Sequence, residues 1–353
     1  MIECDVVIAG GGFAGLLCAK TLAARGIRVH LLERKAEAGI GMHTTGIIVK
    51  ECADEFTIPE HLTRKVTRVR LYAPNLKYTE LKSSTYFFLT TDTPGLMRHL
   101  SDEAISAGAV IHYDTAYRNG VHDGENIRVN DSYICKFLIG ADGPRSKVAD
   151  DFKLGQNTQF LLGAEAEYTG LPLGDEGAFY CFLNQQLAYG YLGWVIPGVG
   201  VTQVGLAQRM PARPDIDAFV KHMGSSFDFT GADVAARRGG LIPVGGLVEP
   251  FFCGNVLLLG DAAGMVSPLT AGGIHTALRY GKLMGEAIAD HLQHGGPHPC
   301  AHMRRVYPRF YFKQLLRKSY EWFAPDWLLN LLVGNVLFSA AAHMVFFSKK
   351  QLK

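Results

Sequence analysis

Asp5-Val-Val-Ile-Ala is a short, continuous apolar run of the kind a strand buried on both faces shows, and Gly10-Gly-Gly12-Phe13-Ala14-Gly15 follows it at once. From Phe13 to Arg25 the chain is rich in Ala and Leu, which predicts a helix. Gly26 supplies its stop before Ile27-Arg-Val-His-Leu-Leu opens a second strand. An apolar strand running into a turn recurs at Phe137-Leu-Ile-Gly140-Ala141-Asp142-Gly143. It recurs again at Asn255-Val-Leu-Leu-Leu-Gly260-Asp261-Ala262-Ala263-Gly264. Past Ser267-Pro268 and Gly272-Gly273-Ile274, a helical pattern runs to about Leu292. Alternation of apolar and polar positions is clearest in Lys65-Val-Thr-Arg-Val-Arg-Leu-Tyr, which predicts a half-buried strand. The pattern predicts a discontinuous α/β domain from residues 1–60, 95–155 and 254–295. Strand-rich segments 61–94 and 156–253 form a second domain, and residues 296–353 a helical tail.

The tail has a pattern of its own. Gly295-Gly-Pro297-His-Pro299 marks the exit from the preceding helix. Arg304 to Trp322 mixes six basic residues with Tyr307, Phe310, Tyr311, Phe312, Tyr320 and Trp322, the composition of a helix at a membrane surface. Asp326, after Pro325, predicts an N-cap. Trp327 to Phe347 then runs for 21 residues without a formal charge, about 31 Å as one helix. Asn335, Ser339 and His343 make one narrow polar stripe along it. The segment therefore reads as a helix packed on protein by that stripe, a tail anchor, or an in-plane hairpin. Lys349, Lys350 and Lys353 would stay on the cytoplasmic side, which favours in-plane or hairpin insertion over a span.

Composition adds limits. With 353 residues, 48% of them hydrophobic, the chain can bury two domains' worth of core. The net charge of +2 conceals +7 over residues 301–353 and −5 over the rest, so the main body lacks the electrostatics of a nucleic-acid binder. Seven scattered cysteines without a C-x-x-C pair argue against a metal site and for reduced, mostly buried thiols; Cys52 reads as packing. A strand pattern within a few residues of Met1 leaves no room for a secretory leader, so the expected location is cytoplasmic, at the inner face of the cytoplasmic membrane.

The first motif carries chemistry. Gly10 suits a tight turn, Gly12 a close backbone approach by a pyrophosphate, and Gly15 tight helix–strand packing. Glu33, 18 residues on, suits a ribose. The pyrophosphate would sit on a helix N-terminus, where free N–H groups favour an anion. Phe13 and Ala14 within the turn, and Arg34 beside Glu33, complete this set of candidate cofactor contacts. No second unit of this type exists to hold NAD(P)H, so the electron donor binds transiently, NAD(P)H among the candidates, or is a protein or quinol.

Taken together, the three motifs resemble flavoproteins built like aromatic hydroxylases, and within them the geranylgeranyl reductase family. The resemblance covers residues 1 to about 292. It implies an α/β fold: a Rossmann-type FAD-binding domain with an inserted antiparallel β-sheet substrate domain and a helical C-terminal tail. It also implies that Asp261 binds the ribitol hydroxyls of FAD, that the helix opened by Gly272, Gly273 and Ile274 faces the flavin ring, that Arg98 lies beside FAD, and that the Asp142–Arg145 turn helps hold it.

Aromatic hydroxylases of this fold commonly carry His directly after Gly-Asp-Ala-Ala and Asn after the glycine pair; here Gly264 and His275 stand there. Tyr191-Leu-Gly-Trp194-Val-Ile-Pro197 and Gly240-Leu-Ile-Pro243-Val-Gly-Gly246 look like segments of the reductases. Tryptophan halogenases share a Trp-Ile-Pro element with two tryptophans, and Leu192 occupies the position of the first. The family's Cys-Gly-Glu-Gly segment is replaced by Gly41-Met-His43-Thr44-Thr45-Gly46, which leaves His43 and Thr45 as the catalytic candidates lining the flavin. Tyr86-Phe87-Phe88-Leu89 and Phe179-Tyr180-Cys-Phe182-Leu183 are candidate walls for a prenyl chain, or plain sheet core. The expected function is FAD-dependent reduction of carbon–carbon double bonds in an isoprenoid or similarly apolar lipid. The alternatives are an FAD-dependent monooxygenase acting on an aromatic or apolar substrate and a flavin-binding lipid carrier without turnover.

Overall fold

The computed structural model describes residues 1–347; Lys349, Lys350 and Lys353 lie outside the described residues. Its first apolar run is the strand Ile2–Ala9, at the centre of an eight-stranded sheet. Tyr133–Gly140 and Val29–Leu32 flank it in parallel, and Val256–Leu258 and Val110–His112 extend the parallel set outward. Val6, Val7, Ile8 and Ala9 are fully buried, which is why that run has no polar alternation. The register brings the motifs together: Ala9 pairs with Gly140 and with Leu32, and Gly140 with Leu258. All three motif turns therefore leave the sheet at one edge, at the carboxyl ends of the strands, where open α/β sheets bind ligands.

Ten helices occur among the described residues: α1 (Phe13–Ala24), α2 (Lys50–Glu55), α3 (Thr93–Ser106), α4 (Lys147–Asp151), α5 (Ile216–Met223), α6 (Ile274–His294), α7 (Pro299–Val306), α8 (Tyr311–Phe323), α9 (Asp326–Leu332) and α10 (Val336–Phe347). Helices α1 and α6 pack at backbone distance. A Cβ on Gly281 would lie 2.6 Å from the Ala14 carbonyl oxygen, and one on Gly285 2.7 Å from Thr21 Cβ. Since Ala14 meets Gly281 and Thr21 meets Gly285, the two helices run the same way, with their positive N-terminal ends on the motif edge.

A seven-stranded sheet runs in the order Asp233–Pro243, Phe160–Thr169, Thr202–Arg209, Gly193–Pro197, Ala178–Phe182, Arg68–Tyr72, Tyr78–Lys82. It is antiparallel except where Ala178–Phe182 pairs with Arg68–Tyr72, two strands from separate excursions of the chain. A three-stranded sheet of Ile47–Val49, Phe88–Thr91 and Thr63–Val66 joins a segment of the first domain to the second. The single strand expected over residues 65–72 is split at Thr67, because the Thr67 and Arg68 N–H groups both donate to the Gly177 carbonyl and the chain swivels there between two sheets.

Alternation on Ala178–Phe182 decides what its aromatic residues do. Phe179, Cys181 and Leu183 join Val66, Val69, Tyr86, Phe88 and Trp194 on one face. Tyr180 and Phe182 turn to the other, against Phe219 and Met223 of α5. Full burial of one such side chain stabilises the fold by about 1.5–3 kcal/mol.

The tail packs on the first of these faces. Leu329, Val333, Ala342 and Phe347 are buried in the same cluster, with the Phe347 ring 5.9 Å from Phe88 and 6.0 Å from Tyr86. The basic segment is two helices instead of one, since Pro308 follows α7 and cannot continue it. Trp327 to Phe347 is likewise two helices: Gly334 takes φ +97°, and α9 and α10 bend by 96°. Asp326 is the first residue of α9, not its cap. Pro325 holds the cap position, and the Asp326 carboxylate instead accepts the Gln185 N–H at 2.7 Å.

Candidate active site

The site is assembled from the three turns on the motif edge. Gly10 has φ +107°, and a Cβ there would strike the Ala141 carbonyl of the second turn. Gly15 could not carry a Cβ without striking the Gly10 carbonyl, so helix α1 starts hard against the turn. Gly12 behaves differently: it is exposed, and a Cβ there would meet nothing within 4 Å. That open space faces the first turn of α1, where Gly12 at the cap position has no side-chain cap and the N–H groups keep their capacity for an anion. Phe13 and Ala14 are buried beneath it.

Glu33 continues the strand Val29–Leu32 into this space. Its Oε2 accepts the Gly11 N–H at 2.7 Å and its Oε1 the Lys35 N–H at 2.9 Å. These bonds hold the carboxylate beside the glycine turn with acceptor capacity left for hydroxyls. Arg34 and Arg98 are exposed, the latter on α3 and without a hydrogen-bond partner among the described residues. Asp142 is spent inside the protein: its carboxylate accepts Ser146 Oγ at 2.6 Å and the N–H groups of Lys147 and Val148 at 2.7 and 3.1 Å. It shapes the turn and takes the first two N–H groups of α4, which Ser146 caps, so any effect on a cofactor passes through the turn; burial pushes its pKa above the usual carboxylate range.

Asp261 has the opposite character. Burial pushes its pKa up to about 6, and its carboxylate has no hydrogen-bond donor among the described residues. Such a carboxylate costs free energy unless a hydroxyl-bearing ligand meets it. Beside it, Gly273 occupies the cap position of α6 with no side-chain cap, and Gly272 is exposed; Ile274 opens the helix. Nearby, the buried His275 has an unpartnered Nδ1, its Nε2 lying 3.2 Å from Glu55. An unmatched carboxylate, two uncapped helix N-termini and a glycine-walled gap fit a group with a pyrophosphate, ribose and ribitol. Asn157, absent from the sequence reading, ties second and third turns by donating to the carbonyls of Pro144 and Asp261 at 3.1 and 2.9 Å.

The other wall comes from residues 41–46 and the face of the seven-stranded sheet. Thr45 Oγ1 donates to Glu165 Oε2 at 2.7 Å, Trp194 Nε1 donates to the same oxygen at 2.7 Å, and Arg238 Nε donates to Glu165 Oε1 at 2.7 Å. Arg238 also pairs with Glu167, and Gln203 donates to the Thr45 carbonyl at 3.1 Å. Glu165 is only 3% exposed. Of this buried network the sequence singled out Thr45 and Trp194 but not their connection, because its members lie on five separated segments; the signal available for the carboxylates was the Glu-x-Glu alternation within an apolar strand. His43 is exposed, with its Cβ against Gly240 and no hydrogen-bond partner among the described residues. Cys52 is fully buried and its thiol pushed up to about 12, the inert packing role expected of it.

Loop 267–271, between the third turn and α6, is held from the tail. Arg317 of α8, only 4% exposed, donates to the carbonyls of Pro268 and Gly190 at 2.8 and 3.0 Å and pairs with Glu321, which also binds Arg209. Tyr191 donates to the Thr270 carbonyl at 2.7 Å.

Comparison with known proteins agrees with this geometry. A family described as an FAD binding domain matches residues 3–299. The chain is 30% identical over 318 residues to the digeranylgeranylglycerophospholipid reductase of Methanothrix thermoacetophila, covering 83% of this chain and 80% of that one. Its fold is similar to that of a geranylgeranyl bacteriochlorophyll reductase-like protein from Thermoplasma acidophilum, with TM-score 0.84, 18% identity and coverage of 99% and 98%. It is similar as well to a flavin-dependent brominase, with TM-score 0.71, 16% identity and coverage of 99% and 96%. A glycine-walled dinucleotide cleft, a family match along residues 3–299 and a relative at 30% identity lead to one conclusion: this chain belongs to the geranylgeranyl reductase family of FAD-dependent oxidoreductases.

Proposed function

We propose that the protein reduces carbon–carbon double bonds of an isoprenoid or similarly apolar lipid. The observation that carries this reading is Gly264. It has φ +71°, and a Cβ there would strike the Gly246 carbonyl and come within 2.9 Å of Asn157 Oδ1. The histidine that hydroxylases of this fold place after Gly-Asp-Ala-Ala therefore has no room, and the loop is built for a glycine. The name of the Methanothrix relative, a digeranylgeranylglycerophospholipid reductase, supports the same substrate class.

Saturating an alkene takes a hydride and a proton. FAD, when bound in its reduced form, would supply the hydride. The protein's residues do the rest. The open space at Gly12 and the uncapped N-termini of α1 and α6 would hold the cofactor's anionic groups, Gly10 and Gly15 shape that turn, and Asp261 would take its ribitol hydroxyls. Ala271 of loop 267–271, and Ile47 and Val49 of the three-stranded sheet, pack onto the apolar cluster of Phe88, Phe179 and Trp194, whose apolar character suits a prenyl chain that would enter along it. Thr45 has given its hydroxyl hydrogen to Glu165 and so positions the 41–46 loop, whereas the unpaired imidazole of His43 is free to carry a proton.

The test is anaerobic incubation of the chemically reduced holoprotein with a polyunsaturated isoprenoid glycerolipid, read by mass spectrometry. Products heavier by pairs of hydrogens, formed without O₂, are expected. A product that needs O₂ and contains an oxygen atom from it would establish a monooxygenase. Retained FAD that no donor reduces would establish a carrier.

A further inference from the structure

The tail helices are built inside out for a protein surrounded by water. Helices α9 and α10 both press their inner sides on one apolar cluster through Leu329, Val333, Ala342 and Phe347. Two of the three stripe residues bond to the neighbouring sheet, while Asn335 is exposed and accepts the Leu337 N–H at the start of α10. Ser339 Oγ lies 3.2 Å from Thr79 Oγ1, and His343 Nε2 lies 3.0 Å from the Lys82 carbonyl oxygen, both on the edge strand Tyr78–Lys82. What faces away is apolar: Trp327, Leu331, Val336, Leu337 and Met344 are between 62% and 81% exposed, as is Trp322 at the end of α8. A surface helix ordinarily turns its polar side outward. Single exposed apolar residues are ordinary, but these six together with Tyr311, Phe312 and Leu315 of α8, nine large ones on three consecutive helices, are of the kind that marks an interaction surface.

Charge selects the occupant. Arg304, Arg305, Arg309 and Lys318 are exposed just before the patch. Residues 301–347 contain two acids, and both are consumed internally, Glu321 by Arg209 and Arg317, Asp326 by the Gln185 N–H. The tail therefore presents uncompensated positive charge beside apolar side chains, the complement of anionic head groups over acyl chains. Trp322 and Trp327 stand where the chain passes from charged to uncharged sequence, the position an interfacial belt occupies. No single helix among the described residues is long and apolar enough to cross a membrane, and the 96° bend between α9 and α10 suits lying in the interface plane.

We propose that the outer faces of α8, α9 and α10 dock the holoprotein on an anionic lipid bilayer. The inner faces of α9 and α10 close the apolar cluster that reaches Ala271 of loop 267–271, so one pair of helices separates bilayer from active-site wall. A lipid leaving the bilayer there stays in contact with apolar surface.

Docking is measured without turnover, so its failure is distinguishable from failure of the proposed reaction. FAD-loaded, full-length protein is centrifuged with vesicles of phosphatidylglycerol and phosphatidylcholine, and with pure phosphatidylcholine vesicles. The protein should pellet with the anionic vesicles and be released as salt rises. Leu331→Asp combined with Val336→Asp should lower partitioning at least about tenfold, with FAD content and melting temperature unchanged because both side chains are exposed. A second variant, Arg305→Glu with Lys318→Glu, should weaken binding to anionic vesicles. Wild type remaining in the supernatant with both compositions, or equal pelleting of both variants and wild type, overturns the proposal. So does a dimer in analytical ultracentrifugation that the apolar variant dissociates while no vesicles are bound, which would assign the patch to a second copy of the chain.

Discussion

Trp194 donates its indole N–H to Glu165 Oε2 at 2.7 Å, the oxygen that also takes the Thr45 hydroxyl. One buried carboxylate thus fixes a tryptophan of the sheet and a threonine of the loop opposite, while its other oxygen holds Arg238. Glu165→Gln should leave Arg238, 11% exposed at its side chain, paired only with Glu167. Because Glu167 still compensates Arg238, the loss is that of charge-assisted hydrogen bonds, about 1.5–3 kcal/mol, to be read as a lower melting temperature. Trp194→Phe removes the indole N–H and part of the buried ring system, so it should cost about 1–3 kcal/mol for the lost hydrogen bond together with a cavity term. If Glu165→Gln melts with the wild type, the network does not hold residues 41–46 in place.

The two glycines of the first turn should fail differently. Gly12 has φ −80° and open space around it, so Gly12→Val should give a folded apoprotein of normal melting temperature that is colourless. Gly15→Ala would meet the Gly10 carbonyl and should lower the stability of the apoprotein itself. Stoichiometric FAD in Gly12→Val, read from its visible absorbance, would contradict the assignment of Gly10 to Gly15.

Asp261 makes the stability of the apoprotein depend on pH. Its folded pKa is raised from 3.8 to about 6, so the native state binds the proton more tightly than the unfolded chain. The associated stability is complete below pH 3.8 and is lost as pH rises through about 6, after which a half-buried charge costs at most about 3 kcal/mol, at about 1.4 kcal/mol per pKa unit. Apo Asp261→Asn should accordingly melt higher than wild-type apoprotein at pH 8, with the gap shrinking by pH 5. The same variant should lose affinity for FAD in isothermal titration. A gap independent of pH would remove the carboxylate as its source.

Gly264→His installs the hydroxylase residue at a left-handed position against the Gly246 carbonyl. It should cost more than about 2 kcal/mol and lower FAD retention, both read by thermal melting followed through flavin release. A stable, fully loaded Gly264→His protein would show that the loop does not exclude that side chain.

The resemblance read from the first 292 residues was enough for family and cofactor, since each motif couples a strand to a turn within about ten residues and backbone sterics at Gly10, Gly15 and Gly264 leave little choice of residue. That the three motifs meet one cofactor was implied by the resemblance; the register of Ala9, Gly140, Leu32 and Leu258 puts their turns on one edge.

Local sequence could determine what is local: buried parallel strands, the glycine turns, α1 and α6, the charge asymmetry of the tail and the existence of its polar stripe. Tertiary structure decided the rest, because each remaining feature pairs residues far apart in the chain. The Glu165 network joins residues 45, 165, 194 and 238, and whether Phe179 or Phe182 borders the cofactor side depends on which face of a strand the tail covers. Asp142 and Asp261 sit in similar strand-to-turn contexts, yet one carboxylate is surrounded by donors and the other has none among the described residues. A carboxylate's role follows from the hydrogen-bond donors that folding brings within reach, and sequence alone does not count them.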